Sequence, residues 1–156
     1  MKVQWQVNAS EDAGFGRGAD RALHLLNEIS ARDLSSKQGA IVEYFRSNAW
    51  SVREKIAGAS RSWAWEHPEH ENQILALSRA VTHPGFAELD IIRRCQILTN
   101  KANKLNMMGR FVDAIEGWDA ALQIMPKLDA SIYTAVSAER TYGGVDFHRI
   151  GGAFVA

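Results

Sequence analysis

The segment from Cys95 to Pro126, CQILTNKANKLNMMGRFVDAIEGWDAALQIMP, carries two runs of apolar residues at helical spacing. In the first run, Leu98, Ala102 and Leu105 fall on one side of a helix, because residues three and four apart share a helix face. Gly109 can adopt the left-handed conformation that ends a helix, and the closing proline cannot continue one. The segment therefore predicts two short helices joined by a tight turn.

The second run is amphipathic. Seven residues project into one arc of its helix: Phe111, Ala114, Ile115, Trp118, Ala121, Leu122 and Met125. The small alanines at 102, 114 and 121 allow two helix backbones to approach closely, while Trp118 and Phe111 fill the space beside them. The two helices are thus predicted to pack as an antiparallel hairpin.

The order of these residues resembles the tetratricopeptide repeat (TPR), in which an alanine precedes an aromatic residue by four positions and a proline closes the repeat. Ala114, Trp118 and Pro126 match that pattern, so residues 95–126 form the best repeat. Lys101 departs from it, because the family has a large apolar residue there. The resemblance implies an all-α fold, in which antiparallel helical hairpins stack as a short TPR-like right-handed α-solenoid of about six helices.

Helical spacing in the rest of the chain agrees with an all-α fold. We expect helices at about residues 19–32, 37–57, 68–82, 87–108, 111–125 and 128–140, and no strand pattern competes with them. In the first two, the inward residues are expected to be Ala22, Leu25, Leu26, Ile29, Ile41, Phe45, Ala49, Val52 and Ile56. The expected domains are a loose lead-in at 1–18, a TPR-like helical domain at 19–140 and a glycine-rich tail at 141–156.

A wider resemblance covers roughly residues 40–126. SNAWSVREKI, WAWEHPEHENQILALSRAV and HPGFAELDIIRRCQILTN, together with the repeat, look like the N-terminal helical region of bacterial TPR proteins that continue into a C-terminal HEPN domain. HEPN domains are typically RNases with an Arg-x4–6-His motif, so the resemblance implies RNA cleavage by a full-length relative. We expect this chain to end before such a domain.

Composition narrows the functional classes. The 156 residues are 46% hydrophobic and 23% charged, with 18 basic and 18 acidic residues and a formal net charge of zero. This balance argues against a broad nucleic-acid-binding surface. No run approaches the roughly 18 apolar residues of a membrane span, and the N-terminus lacks the apolar core of a secretion signal, so we expect a cytoplasmic protein. Cys95 is the only cysteine and is expected to be buried, which excludes an internal disulfide.

Several patterns imitate catalytic or metal sites. Arg61 to His67 and Arg17 to His24 have the RNase spacing, but chance explains them better, since neither lies in a HEPN-like segment. His67 and His70 have the spacing of a helical metal pair, yet they lie at a predicted helix start, where such residues occur for solvation. Trp63 and Trp65 are expected to pack over a helix pair rather than bind a ligand. We therefore predict no catalytic residue, metal or cofactor.

The candidate binding residues share one face of the helix predicted at 87–108: Arg93, Gln96, Asn100, Asn103, Lys104 and Met107. They lie opposite the apolar residues of the same helix. In TPR proteins the first helix of each repeat lines a concave groove, where amides can bind a peptide backbone and cations attract carboxylates. Residues 93–110 include five basic residues and no acidic one, whereas acidic residues follow in the next helix. A solvated face with charge pairing between the helices explains the pattern equally well, and both interpretations remain open.

The function predicted from the sequence is that of a non-enzymatic interaction or scaffolding module. Its partner would be another protein or an acidic peptide held in a helical groove, with self-association through the repeat ends as a further contact. One alternative is the accessory region of a HEPN-type RNase that lacks its catalytic domain. Another is RNA binding through the basic helix at 93–110.

Overall fold

The described part of the chain is all-α. The computed structural model describes residues 16–57 and 68–124. In chain order the elements are α1 (Gly16–Ser30), α2 (Ser36–Ala57), α3 (Pro68–Thr82), a 3₁₀-helix (Pro84–Glu88), α4 (Ile91–Met107) and α5 (Phe111–Ile124). No strand occurs within these two ranges, so the predicted fold class is confirmed there.

The structure corrects some helix boundaries. Helix α1 begins at Gly16, ahead of the expected lead-in boundary at residue 18. Helix α4 begins at Ile91 and not near residue 87, because residues 84–88 form the 3₁₀-helix and Asp90 caps α4 by accepting a hydrogen bond from the backbone N–H of Arg93. We expected about six helices, and the described ranges contain five α-helices. The predicted helix at 128–140 and the tail at 141–156 lie outside the described residues.

The chain divides into two compact units, with the division between Glu88 and Leu89. In the first unit, α2 packs against both α1 and α3. One core cluster joins three α1 residues to three α2 residues: Ala19, Ala22, Leu26, Val42, Ala49 and Val52. Because α2 has neighbours on two sides, its buried positions extend round the helix and include Ala40 and Tyr44. The inward face predicted for α2 is therefore only partly right. Ala49 and Val52 are buried, but Ile56 is exposed over 36% of its surface.

The N-terminal turn of α2 is fixed by two contacts. Ser35 and Gln38 form a reciprocal capping box, in which each side chain accepts a hydrogen bond from the other residue's backbone N–H at 3.3 and 3.0 Å. The 3₁₀-helix presses against the same turn, since a Cβ atom on Gly85 would lie 1.9 Å from the carbonyl oxygen of Ser36. The start of α2 therefore requires glycine at position 85.

The second unit contains the predicted hairpin of α4 and α5. Gly109 has φ 75°, and the backbone N–H groups of Gly109 and Arg110 donate to the carbonyls of Asn106 and Leu105 at 3.0 and 2.9 Å. This pattern is a Schellman motif, which explains why the helix ends at glycine. The turn predicted at Gly109 is confirmed.

Small residues bring the two helices of the hairpin together. Six of the expected inward residues are buried, namely Leu98, Ala102, Leu105, Ala114, Trp118 and Ala121. Ile115 and Leu122 are only half-buried, and Met125 lies outside the described residues. A Cβ atom on Gly117 would lie 3.0 Å from the Cβ of Ala102, so α5 passes α4 with almost no side chain between them. Phe111 is a correction: it is 46% exposed, because it is the first residue of α5. No helix in the described ranges is both long and apolar enough to cross a membrane.

Candidate functional site

Six residues form what we call the α4 polar surface: Arg93, Gln96, Asn100, Asn103, Lys104 and Met107. Their positions cover about a third of the helix circumference, on the side away from Leu98, Ala102 and Leu105. Gln96 is exposed and the other five are half-buried. The structure therefore brings all six predicted residues onto one helix face, as their spacing predicts.

Arg93 and Gln96 interact at the start of this surface. The Nη1 of Arg93 donates to the Oε1 of Gln96 at 3.0 Å, one helical turn away. The backbone N–H of Arg93 is held by the Oδ1 of Asp90 at 2.8 Å. The cap thus fixes the backbone that carries the guanidinium group, and Gln96 orients the group itself.

Asn103 has a second role that sequence reasoning missed. The indole Nε1 of Trp118 donates to the Oδ1 of Asn103 at 2.9 Å, and Trp118 is fully buried. An indole N–H is a donor only, so it must face the amide oxygen of Asn103 and not its nitrogen. The hydrogen bond therefore fixes the orientation of the amide and leaves its Nδ2 as the group available to a ligand.

The other three residues of this surface, Asn100, Lys104 and Met107, differ in the contacts that their side chains make. Asn100 makes no side-chain hydrogen bond to any other residue of 16–57 or 68–124. The Nζ of Lys104 lies 3.8 Å from the sulfur of Met107. Hydrogen-bond donors are supplied on this surface by two cationic side chains and three amides.

One charge pair lies at the turn of the hairpin. Arg110 contacts the Oδ2 of Asp113 through Nε at 2.9 Å and through Nη2 at 2.8 Å. Both side chains are about half exposed, and the residues are three apart in the chain. A local surface pair of this kind contributes little to stability. It accounts for one of the five basic residues between 93 and 110.

Cys95 is buried as predicted, with 3% exposure. Its Sγ lies 3.7 Å from the backbone carbonyl of Ala121 on α5. Burial raises the pKa of the Cys95 thiol, and the nearby positive charge of Arg94 offsets part of that effect. The residue packs the hairpin and is poorly suited to act as a nucleophile.

The patterns that imitate catalytic sites have ordinary surroundings where they are described. Arg17 and His24 are exposed on α1, where His24 lies 3.2 Å from Glu28. His70 is 2% exposed and its Nδ1 lies 3.6 Å from Glu54, so it belongs to the contact of α3 with α2. No group of three metal-binding side chains occurs in the described part of the chain. Arg61, Trp63, Trp65 and His67 lie outside it.

Sequence reasoning also missed two surface cavities in the first unit. One, of about 430 Å³, lies beside His83 at the connection of α1 to α2. The other, of about 200 Å³, is a groove between α1, α2 and α3. Its α3 wall consists of Asn72, Leu75, Ala76 and Arg79, whose helical spacing is visible in the sequence. That spacing alone cannot show which two helices complete the groove.

Comparison of the chain with protein-family models, with curated proteins and with solved structures finds no match.

Proposed function

We propose that this protein is a non-catalytic binding module of the cytoplasm, and that its α4 polar surface binds an extended acidic segment of a partner protein. One observation carries the proposal: the hydrogen bond from Trp118 to Asn103 fixes the orientation of a donor on a half-buried side chain of the α4 polar surface. A fixed amide loses less entropy when a ligand binds than a freely rotating one does. Fixed donors of this kind are expected of a binding surface.

The chemistry of the surface selects its ligand. The side chains of Arg93 and Lys104 are cationic, and the amides of Asn100 and Asn103 can donate to carbonyl or carboxylate oxygens. The two cations are eleven positions apart in the helix, which corresponds to about 16 Å along its axis. An extended peptide covers that length with about five residues. A short acidic segment therefore matches the surface in both charge and length.

We further propose that the hairpin is one unit of a short TPR-like solenoid. The burial of Ala114, Trp118 and Ala121 and the near contact of Gly117 with Ala102 support this proposal. In such a solenoid the first helix of the repeat faces the groove, which would make the α4 polar surface the groove lining. Affinity from a surface of this size is expected to be modest and to weaken as salt increases.

The test measures fluorescence anisotropy of a labelled peptide of about five alternating aspartate and glutamate residues, the length estimated above. Asn100→Ala separates binding from folding most clearly. The Asn100 side chain makes no hydrogen bond to another described residue, so its loss should leave the fold intact. We expect Asn100→Ala and Lys104→Gln each to weaken binding about fivefold. The amide-matched peptide of asparagine and glutamine should bind more weakly than the acidic one.

Lys101→Gln is the matched control, since it removes the same charge from the same helix outside the α4 polar surface. It should weaken binding less than Lys104→Gln does, because Lys101 lies outside the surface and supplies nearby charge without a direct contact. Equal affinities for the native chain and all three variants would contradict the proposal. Tighter binding of an oligouridylate than of the acidic peptide would replace it with RNA binding through residues 93–110.

A further inference from the structure

The groove in the first unit is lined by residues from three helices, α1, α2 and α3. Helix α2 forms its floor with Arg46 and Trp50, which are four residues apart. Leu23 and Asn27 of α1 form one wall, and the α3 residues named above form the other. None of the eight lining residues is acidic, so the groove is positively charged inside a chain of zero formal net charge.

The floor of the groove is held rigid. The Nε of Arg46 donates to Glu43 at 3.3 Å, its Nη1 to the Oδ1 of Asn27 at 2.5 Å and its Nη2 to Ser30 at 2.9 Å. The side chain of Arg46 is only 14% exposed. Because Asn27 accepts through its oxygen, its amide nitrogen is left to face the groove as a donor. Arg46 therefore positions Asn27 and is itself largely neutralised by Glu43.

The α3 wall provides the available charge. Arg79 is exposed, and neither Arg79 nor Asn72 has a side-chain hydrogen bond or ion pair with another described residue. Between them, Leu75 is 49% exposed although it is a large apolar residue. A cation, an amide and an uncovered leucine thus adjoin on successive turns of one helix.

We propose that this groove is a second binding site, which takes an extended peptide with an aliphatic residue next to a carboxylate. The aliphatic side chain lies between Leu23 and Leu75, and the carboxylate pairs with Arg79 while Asn27 and Asn72 donate to the peptide backbone. The inference rests on the charge and the apolar walls of the groove, and it does not depend on the α4 polar surface.

The size and walls of the groove favour a peptide over a small molecule or a nucleic-acid strand. Its volume of about 200 Å³ is below the range of roughly 300–1,000 Å³ typical of small-molecule sites, but it accommodates side chains of a peptide that runs along it. A single nucleic-acid strand prefers stacking surfaces and several free cations. Here Trp50 is already covered by Arg53, whose guanidinium carbon lies 5.5 Å from the ring centroid. Arg79 is the one lining cation that has no ion pair among the described residues.

The experiment is a titration of the full ¹⁵N-labelled chain with an acetylated, amidated peptide of alternating leucine and glutamate, followed by NMR. We expect concentration-dependent shifts of the side-chain amides of Asn27 and Asn72. Arg79→Gln should weaken this binding about fivefold to tenfold, as expected for loss of one charge-assisted contact. Leu75→Ala should weaken it as well, because the aliphatic contact is lost.

Arg21→Gln is the matched control: Arg21 is also exposed on a helix of the first unit, on the side of α1 away from Leu23. It should leave the affinity unchanged, and a peptide with glutamine in place of glutamate should bind the native chain as weakly as the acidic peptide binds Arg79→Gln. Absence of shifts at Asn27 and Asn72 would overturn the proposal, as would equal losses in Arg79→Gln and Arg21→Gln. Stronger shifts with an oligouridylate than with the peptide would also overturn it.

Discussion

At the scale of single residues, the pair of Asn103 and Trp118 shows what spacing can and cannot predict. Helical periodicity predicts Trp118 in the core of the hairpin, and this position is confirmed. It also predicts Asn103 on the side of α4 away from that core, whereas Asn103 is half-buried and close enough to α5 to accept a hydrogen bond from Trp118. The hydrogen bond between them was not predicted, because it depends on side-chain conformations on two different helices. A residue of the α4 polar surface therefore also accepts a hydrogen bond from a buried donor.

That double role predicts an asymmetry between two neighbouring asparagines. Asn103→Ala removes the amide oxygen that accepts from the buried Trp118 N–H and should lower the free energy of unfolding by about 1–3 kcal/mol. Asn100→Ala removes no hydrogen bond to a described residue and should cost less than about 0.5 kcal/mol. Urea denaturation followed by circular dichroism measures the free energy of unfolding of both variants.

For comparison, Trp118→Ala should lower the free energy of unfolding by about 3–5 kcal/mol, since the ring is fully buried.

Equal stability of the two asparagine variants would show that the hydrogen bond contributes nothing. A loss below about 1 kcal/mol for Trp118→Ala would contradict the assigned packing of the hairpin.

At the scale of elements, the helix ends that were predicted correctly are those with a local chemical signal. Ser35 caps α2, Pro68 begins α3 and Gly109 ends the fourth helix. The start of α4 was placed too early, because the apolar residues of 84–89 fit a helical pattern while the backbone forms a 3₁₀-helix. What holds that segment is its contact with the first turn of α2, and single-helix periodicity carries no information about such a contact.

The contact predicts that Gly85 tolerates no side chain. In Gly85→Ala the added methyl group would overlap the backbone of Ser36, so either the 3₁₀-helix or the first turn of α2 must move. We expect a loss of about 1–3 kcal/mol in the free energy of unfolding. Ala87→Ser, at an exposed position of the same 3₁₀-helix, should be close to neutral. Thermal denaturation that gave the same midpoint for both variants would contradict the close packing.

At the scale of the whole molecule, the sequence predicted the all-α class, but the residues that confirm it cover only 16–57 and 68–124. A pattern of small and large residues identifies a hairpin, because both helices of a hairpin are close in sequence. The groove between α1, α2 and α3 depends on three helices whose arrangement no local pattern encodes. This is why the α4 polar surface was predicted and the groove was not.

Self-association remains a prediction at this scale. Stacked repeats bury a face against each neighbour, so a short array without a polar capping helix exposes an apolar face at its end. We therefore expect either association of chains through the C-terminal end or coverage of that end by Phe147, Ile150 and Phe154. These three residues lie outside the described ranges. Analytical ultracentrifugation should show that a chain shortened to end at Arg140 is less soluble or differs in oligomeric state from the full chain. Identical behaviour of the two chains would contradict both versions.

The most direct test of the proposed function is an NMR titration of the full chain with the acidic peptide. The account predicts shifts of the side-chain amide signals of Asn100 and Asn103, with the indole N–H of Trp118 still hydrogen-bonded at saturation. These shifts should shrink as salt is raised, since the attraction is between charges. Shifts confined to residues outside the α4 polar surface, or none at a peptide concentration that saturates the anisotropy signal, would contradict it.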